Sequence, residues 1–270
     1  MHGIDRSLVT ALTGLVSRAG RAILDIASDA LAVREKADFS PVTAADEAAQ
    51  TVILDGLAKL LPGLPVVSEE LSEPQPAIGP GASFLLVDPL DGTREFIARR
   101  DEYTVNLALI EAASPVLGFV LLPARGLLYR GCVGQFAERL HLAPGESSAA
   151  AREIAPIRTR PAPPRLIATV SRSHLDPATR DFLHRLPVAE QVGCGSSFKF
   201  GLLAEGAADV YPRLAPTHEW DIAAGHAVLA AAGGKVVRPD GAAINYGQSD
   251  SGFLVPAFVA WGDPLRSAMS

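Results

Sequence analysis

Ser83-Phe84-Leu85-Leu86-Val87-Asp88-Pro89-Leu90-Asp91-Gly92-Thr93 runs from a short apolar segment straight into a turn that carries two carboxylates. The five residues before Asp88 read as a buried strand. Pro89 fixes φ and removes a donor, and Gly92 lets the chain turn tightly. A turn of this kind can aim both carboxylates and the Leu90 carbonyl at one point. Magnesium favours hard oxygen ligands and keeps open positions for water and phosphate, so this donor set suits it. Aspartates at the end of a strand are also common as plain turn residues.

Working outward, Glu69-Glu70 ends another short strand, Pro65–Ser68, and on its own reads as a solvated pair. Asp46 falls in the first turn of a helix opened by Thr43, where the helix dipole favours an acid in any case. Asp221 follows Trp220 at the start of the helical segment 221–233 and by itself is a simple N-cap. It is the set that points to chemistry: several acids, each at the end or start of an element where elements can converge.

Upstream, apolar residues from Leu8 to Ala30 recur at helical spacing and predict one amphipathic helix over 5–32. A polar stretch, 33–42, is extended at Ser40 because Pro41 follows. A second helix runs from Thr43 to about Leu61. Strands are predicted at 103–111, 115–123 and 127–133, and their short connections suggest an antiparallel sheet. Residues 143–164 are rich in Ala, Ser and Pro and read as a domain boundary. Beyond them strand 165–170, helix 177–186, strand 188–193, helix 197–206, strand 208–212, helix 221–233 and strand 234–237 alternate. The fold class is therefore α/β: an α+β half over 1–145 with a mainly antiparallel sheet, then an α/β half over 146–270.

The chain has 270 residues, 48% of them hydrophobic, which is ample for a large core. Its net charge of −6 and lack of a basic run argue against nucleic-acid binding. A compact anionic substrate remains compatible with that charge, because a metal supplies positive charge locally. Cys132 and Cys194 lie in no CxxC or Cys/His cluster, so zinc is not expected, and two small core residues in a reducing cytoplasm is the plain reading. No apolar run reaches transmembrane length, and the first residues do not resemble a signal peptide. A cytoplasmic protein is expected, with a peripheral contact at the inner membrane left open. Nothing in the sequence signals oligomeric state.

Three long stretches, Ala37–Asp46, Leu85–Ile97 and Trp220–His226, together resemble the inositol monophosphatase-like family of magnesium-dependent, lithium-sensitive phosphatases. Glu102–Asn106, Ser171–His174, Gly195–Phe200 and Tyr211–Arg213 look like its bisphosphate-nucleotidase branch, whereas His218-Glu219 departs from that branch's pattern. The resemblance implies a layered αβαβα sugar-phosphatase fold and two or three Mg2+ ions. Glu69, Asp88 and the Leu90 carbonyl would hold the first ion, and Asp88, Asp91 and Asp221 the second. Asp46 would support a third through water. Thr93, with Glu69 or Asp46, would orient the attacking water, and the amides of Gly92 and Thr93 would hold the scissile phosphate.

The implied substrate is 3′-phosphoadenosine 5′-phosphate, with inositol phosphate, fructose 1,6-bisphosphate or NADP as rivals, and a silent phospho-ligand-binding protein as a rival of another class. His174, Lys199 and Arg213 are candidates for the non-reacting phosphate, Ser196 and Ser197 for hydrogen bonds to it, and Tyr211 for packing near the base. Lys199 reads equally as a solvated helix residue, His174 as a cap of the helix starting near Pro177, and Arg213 as the partner of a surface acid. His226 reads as a satisfied core histidine and carries no role.

Overall fold

The computed structural model describes residues 4–27, 33–35, 41–71, 75–172 and 175–266. In chain order, α1 (Arg6–Ala27) is followed by a two-stranded pair, β1 (Val33–Glu35) and β2 (Pro41–Thr43), and then by α2 (Ala44–Leu60). Thr43 caps α2 as expected. Its Oγ1 accepts from Ala45 N, and the Asp46 carboxylate reaches back to the Thr43 amide. Next come β3 (Val66–Ser68), β4 (Phe84–Asp91), the five-residue α3 (Thr93–Ile97), and β5 (Thr104–Glu111), β6 (Ser114–Leu122), β7 (Leu127–Cys132), β8 (Phe136–His141) and β9 (Arg152–Pro156). Strands β3 to β9 form one seven-stranded sheet in sequence order, antiparallel except for the β3–β4 pair.

The second half holds β10 (Leu166–Ser171), α4 (Pro177–His184), β11 (Val188–Cys194), α5 (Phe198–Ala204), β12 (Val210–Arg213), β13 (Thr217–His218), α6 (Glu219–Ala231), β14 (Lys235–Val237), β15 (Leu254–Val255) and β16 (Phe258–Trp261). Its sheet has the order β11-β10-β12-β16-β14, parallel among β10, β11 and β12 and antiparallel at β16.

Burial explains the layering. Both faces of β4 are covered, so it reads as a continuous apolar run rather than an alternating one. Leu85 and Val87 join Leu12, Val16, Ile53 and Leu57 of α1 and α2 on one side. Phe84 and Leu86 face the other side, in a core that includes Phe200 of α5, Val228 of α6 and Phe258 of the second sheet. Beyond that sheet, Phe182 and Leu183 of α4 pack on Ala168, Val210 and Trp261. The order is helices, sheet, helices, sheet, helix: the expected αβαβα stack.

One expectation is corrected. The stretch 143–164, read as a domain boundary with the first half ending at 145, contains β9, which extends the first sheet to Pro156. Its side chains are mostly exposed and it lies at the sheet edge, so it lacks the alternation that marks a half-buried strand. Strands β8, β13, β15 and β16 were not foreseen either. The expected end of the first helix, 28–32, lies outside the described residues.

The middle helix layer sits very close to the first sheet. A Cβ at Gly118 of β6 would lie 2.3 Å from the Ala224 carbonyl oxygen of α6. Backbone cannot rotate aside, so the helix would have to move. Gly118→Ala should lose about 1–3 kcal/mol of stability, read as a lower urea midpoint at unchanged m-value.

Candidate active site

The C-terminal end of β4 places the acid turn between the two sheets. Asp88 is buried, and its Oδ1 accepts from the Leu90 amide at 3.0 Å, which shapes the turn. Its Oδ2 is equally buried and has no hydrogen-bond partner among the described residues. Glu69 arrives beside it from the end of β3, which pairs parallel with β4 in the register Ser68↔Val87. Asp221 arrives from the first turn of α6. Oxygens of Glu69, Asp88 and Asp221 lie within 4.8 Å of one another. Burial, then the charges of Glu69, Asp91 and Asp221, holds the Asp88 carboxyl well above the usual carboxylate range. Burial and Asp91 also raise Asp221, against the opposing pull of Arg213. Crowded acids with a partnerless buried oxygen fit a divalent cation, which supplies the missing charge and the missing contact.

Asp221 is oriented by its own helix start. Its Oδ2 accepts from the His218 amide at 2.8 Å and from the Thr217 hydroxyl. The His218-Glu219 departure is thus accommodated: His218 supplies an amide and stacks on Trp220 at 4.6 Å. Glu219, fully buried, accepts from the amides of Gly247 and Gln248.

Asp91 is held from the second half. Its Oδ2 accepts from Ser196 Oγ and the Ser197 amide, both at 2.7 Å. Ser197 Oγ in turn donates to the Asp221 carbonyl at 2.6 Å. Thr104 and Asn106 also reach Asp91 Oδ2, each at 3.4 Å. Sequence reasoning missed their part here, although the signal was present. They stand two apart on β5, on one face, opposite Asp91 and Asp88 in the register.

Gly92 caps α3 in the left-handed region at φ 93°, a conformation that glycine reaches without cost. Thr93 follows, and its Oγ1 donates to Asp46 Oδ1 at 3.2 Å. The other Asp46 oxygen accepts from the Thr43 amide and hydroxyl at 2.8 and 2.7 Å. Asp46 is therefore buried and fixed on both oxygens.

A cavity of about 260 Å³ opens over these groups, lined by Glu69, Asp91, Gly92, Thr93, Ser196, Ser197, Lys199, Tyr211, Arg213 and Asp221. Arg94, Glu95 and Ser171 also line it and were not foreseen. Lys199 is buried rather than solvated. Its ammonium donates to the carbonyls of Ser196 at 2.5 Å and Cys194 at 3.3 Å, and lies 5.0 Å from the Tyr211 ring centroid. Tyr211 is packed edge-on against Phe200 and Phe258. Arg213 donates to the Pro216 carbonyl at 3.2 Å. His174 lies outside the described residues. His226 is a core histidine, as expected: Nδ1 meets Tyr246 Oη at 2.9 Å, and burial lowers its pKa to about 4. Both cysteines are buried and free.

Among the described residues no helix is long and apolar enough to cross a membrane. The model of the inositol monophosphatase family matches residues 5–263. A 3′(2′),5′-bisphosphate nucleotidase CysQ of Escherichia coli O157:H7 is 44% identical over 246 residues, 90% of this chain and 95% of that one. A CysQ crystal structure from Bacteroides thetaiotaomicron superposes with a TM-score of 0.82 at 34% identity, covering 98% of this chain and 99% of that one. An inositol monophosphatase from Anabaena shares the fold, with a TM-score of 0.72 at 21% identity over 96% of this chain and 92% of that one.

Proposed function

The chain belongs to the inositol monophosphatase family, and on that premise we propose that it is a magnesium-dependent 3′(2′),5′-bisphosphate nucleotidase that splits 3′-phosphoadenosine 5′-phosphate into AMP and phosphate. The observation that carries the reading is the meeting of Glu69, Asp88 and Asp221 with Asp88 Oδ2 buried and partnerless. The high identity to CysQ relatives over nearly their whole length supports the nucleotide over an inositol phosphate.

In this reading Glu69, Asp88 and the Leu90 carbonyl hold one Mg2+, and Asp88, Asp91 and Asp221 a second. Asp46 supports a third through water. All hydrogen bonds to the Asp91 carboxylate among the described residues fall on Oδ2, which leaves Oδ1 for an ion. Divalent cations, when bound, neutralise phosphoryl oxygens and acidify water near neutral pH.

The chain's own groups do the positioning. Two acceptors face the Thr93 hydroxyl, Asp46 Oδ1 at 3.2 Å and the Leu90 carbonyl at 3.4 Å; its proton goes to the nearer, charged one, so its lone pairs accept from the attacking water and aim it. The amides of Gly92 and Thr93 hold the phosphoryl oxygens. Water attacks phosphorus, the bond to the ribose 3′-oxygen breaks, and that oxygen takes a proton. No covalent enzyme intermediate is required, because Thr93 has an acid beside it and, among the described residues lining the cavity, no histidine. Arg213 and Lys199 give the cavity wall its positive charge, matching a second phosphate. His174 belongs to the same proposed set. A cytoplasmic enzyme fits this role.

Phosphate release from 3′-phosphoadenosine 5′-phosphate, inositol 1-phosphate and fructose 1,6-bisphosphate, each with and without magnesium, tests the reading. The bisphosphate nucleotide should be preferred by at least tenfold in kcat/KM. A preference of that size for inositol 1-phosphate would overturn the substrate. Excess chelator should abolish release and added Mg2+ restore it; full turnover in chelator would overturn the metal chemistry. Lithium should inhibit in competition with magnesium at one site, checked by titrating Li+ at several Mg2+ concentrations.

A further inference from the structure

Two of the branch-like motifs, at Glu102 and Arg172, have no part in the chemistry above, yet they meet. Glu102 lies just ahead of β5 in the first half and is nearly buried. Its Oε2 accepts from the Gly195 amide at 2.9 Å. The guanidinium of Arg172, just after β10, grips the same carboxylate, with Nη2 at 2.8 and 2.9 Å and Nε at 3.2 Å. Nη2 also donates to the Gly193 carbonyl at 2.6 Å. One acid from the first half and one base from the second thus close on both sides of residues 193–195.

The next two residues are the ones that hold Asp91. Ser196 sits at φ 56°, a left-handed conformation that a serine does not adopt freely. Such a residue persists only where its surroundings over-determine it. Its hydroxyl bonds to Asp91 Oδ2, and the following amide bonds to the same oxygen. Gly195 passes so close to the first half that a Cβ would lie 2.8 Å from the Glu102 carbonyl oxygen. Loop placement therefore depends on where Glu102 sits.

We propose that Glu102 and Arg172 are positioning residues: their ion pair clamps residues 193–195, and so holds Ser196 and Ser197 in the conformation that orients the Asp91 carboxylate. The proposal rests on the reading of Asp91 as a ligand of the phosphatase site. Neither residue lines the cavity.

The test uses the whole chain as Glu102→Gln and Arg172→Gln, singly and together. The first is isosteric, and the second changes a side chain that is 43% exposed, so both should fold. Amide exchange over residues 193–200, followed by mass spectrometry, should speed up at least tenfold in each single variant. The kcat should fall about tenfold with KM changed less than threefold, and the Mg2+ concentration for half-maximal rate should rise. The double variant should be no worse than the worse single, as for two members of one unit. Unchanged exchange, or faster exchange with wild-type kcat and magnesium response, would overturn the clamp. Wild-type protein that releases no phosphate would sink the phosphatase reading instead, and the exchange rates would then decide the clamp alone.

Discussion

Asp88→Asn should remove phosphate release by a factor of roughly 10³ or more while making the metal-free protein more stable. The two effects share one cause. Asp88 is buried beside Glu69, Asp91 and Asp221, and one of its oxygens has no partner among the described residues. A carboxylate there is useful only when a cation sits against it. In the proposed site Asp88 is a ligand of two ions, and its loss would forfeit several kcal/mol of charge stabilisation, each 1.36 kcal/mol being tenfold in rate. Asparagine keeps an oxygen for the Leu90 amide, so the turn itself is retained.

The stability effect follows from the direction of the shift. The folded state raises the Asp88 pKa, so ionised Asp88 is disfavoured on folding. Its cost is absent below the unfolded carboxylate pKa of about 3.9, and grows as pH rises from there towards the folded pKa. Asp221 is raised as well and contributes with the same sign. Near neutral pH the metal-free wild type carries this cost, and Asp88→Asn does not. A gain of about 1–2 kcal/mol is expected, a few degrees in Tm for a chain of this length. Magnesium should raise the wild-type Tm and leave that of the variant nearly unchanged. A variant that melts lower than wild type in chelator, or that still gains from magnesium, would contradict this account. Calorimetry with and without metal separates the outcomes.

The parts of this site legible in the sequence are those fixed by local rules. Thr43 followed by an acid three residues later marks a helix start, and the structure shows both halves of that reciprocal cap. The apolar run before Asp88 is a strand buried on both faces. The convergence of Asp221 with Glu69 and Asp88 is different. It depends on how α6 packs between two sheets, and no local pattern encodes a contact across more than a hundred residues. β9 was hidden for the opposite reason: an edge strand with exposed side chains and a terminal proline carries almost no pattern. Lys199 shows the same limit. A lysine near a helix start reads as solvated, until the loop folded beneath it presents two carbonyls to its ammonium.

Thr93→Ala should lower kcat by about 10²–10⁴, in the range of a positioned proton-handling group, with KM little changed. The argument lies in the direction of the hydrogen bonds. Asp46 Oδ2 is committed to the Thr43 amide and hydroxyl, so the carboxylate cannot turn, and Oδ1 is left to accept the Thr93 proton. Thr93 then has only lone pairs to offer the cavity, and a water placed there must donate to it. Asp46→Asn keeps the shape and reverses this sense. Its Oδ1 must serve Thr43, which turns its Nδ2 towards Thr93; the threonine becomes an acceptor there and points its own proton away. That variant should lose about as much kcat as Thr93→Ala, and the double variant little more, because both break one unit. Thr93→Ser should recover most of the rate. Should Thr93→Ala keep a kcat within threefold of wild type, the hydroxyl would be a helix-start contact and water would be aimed by Glu69 instead.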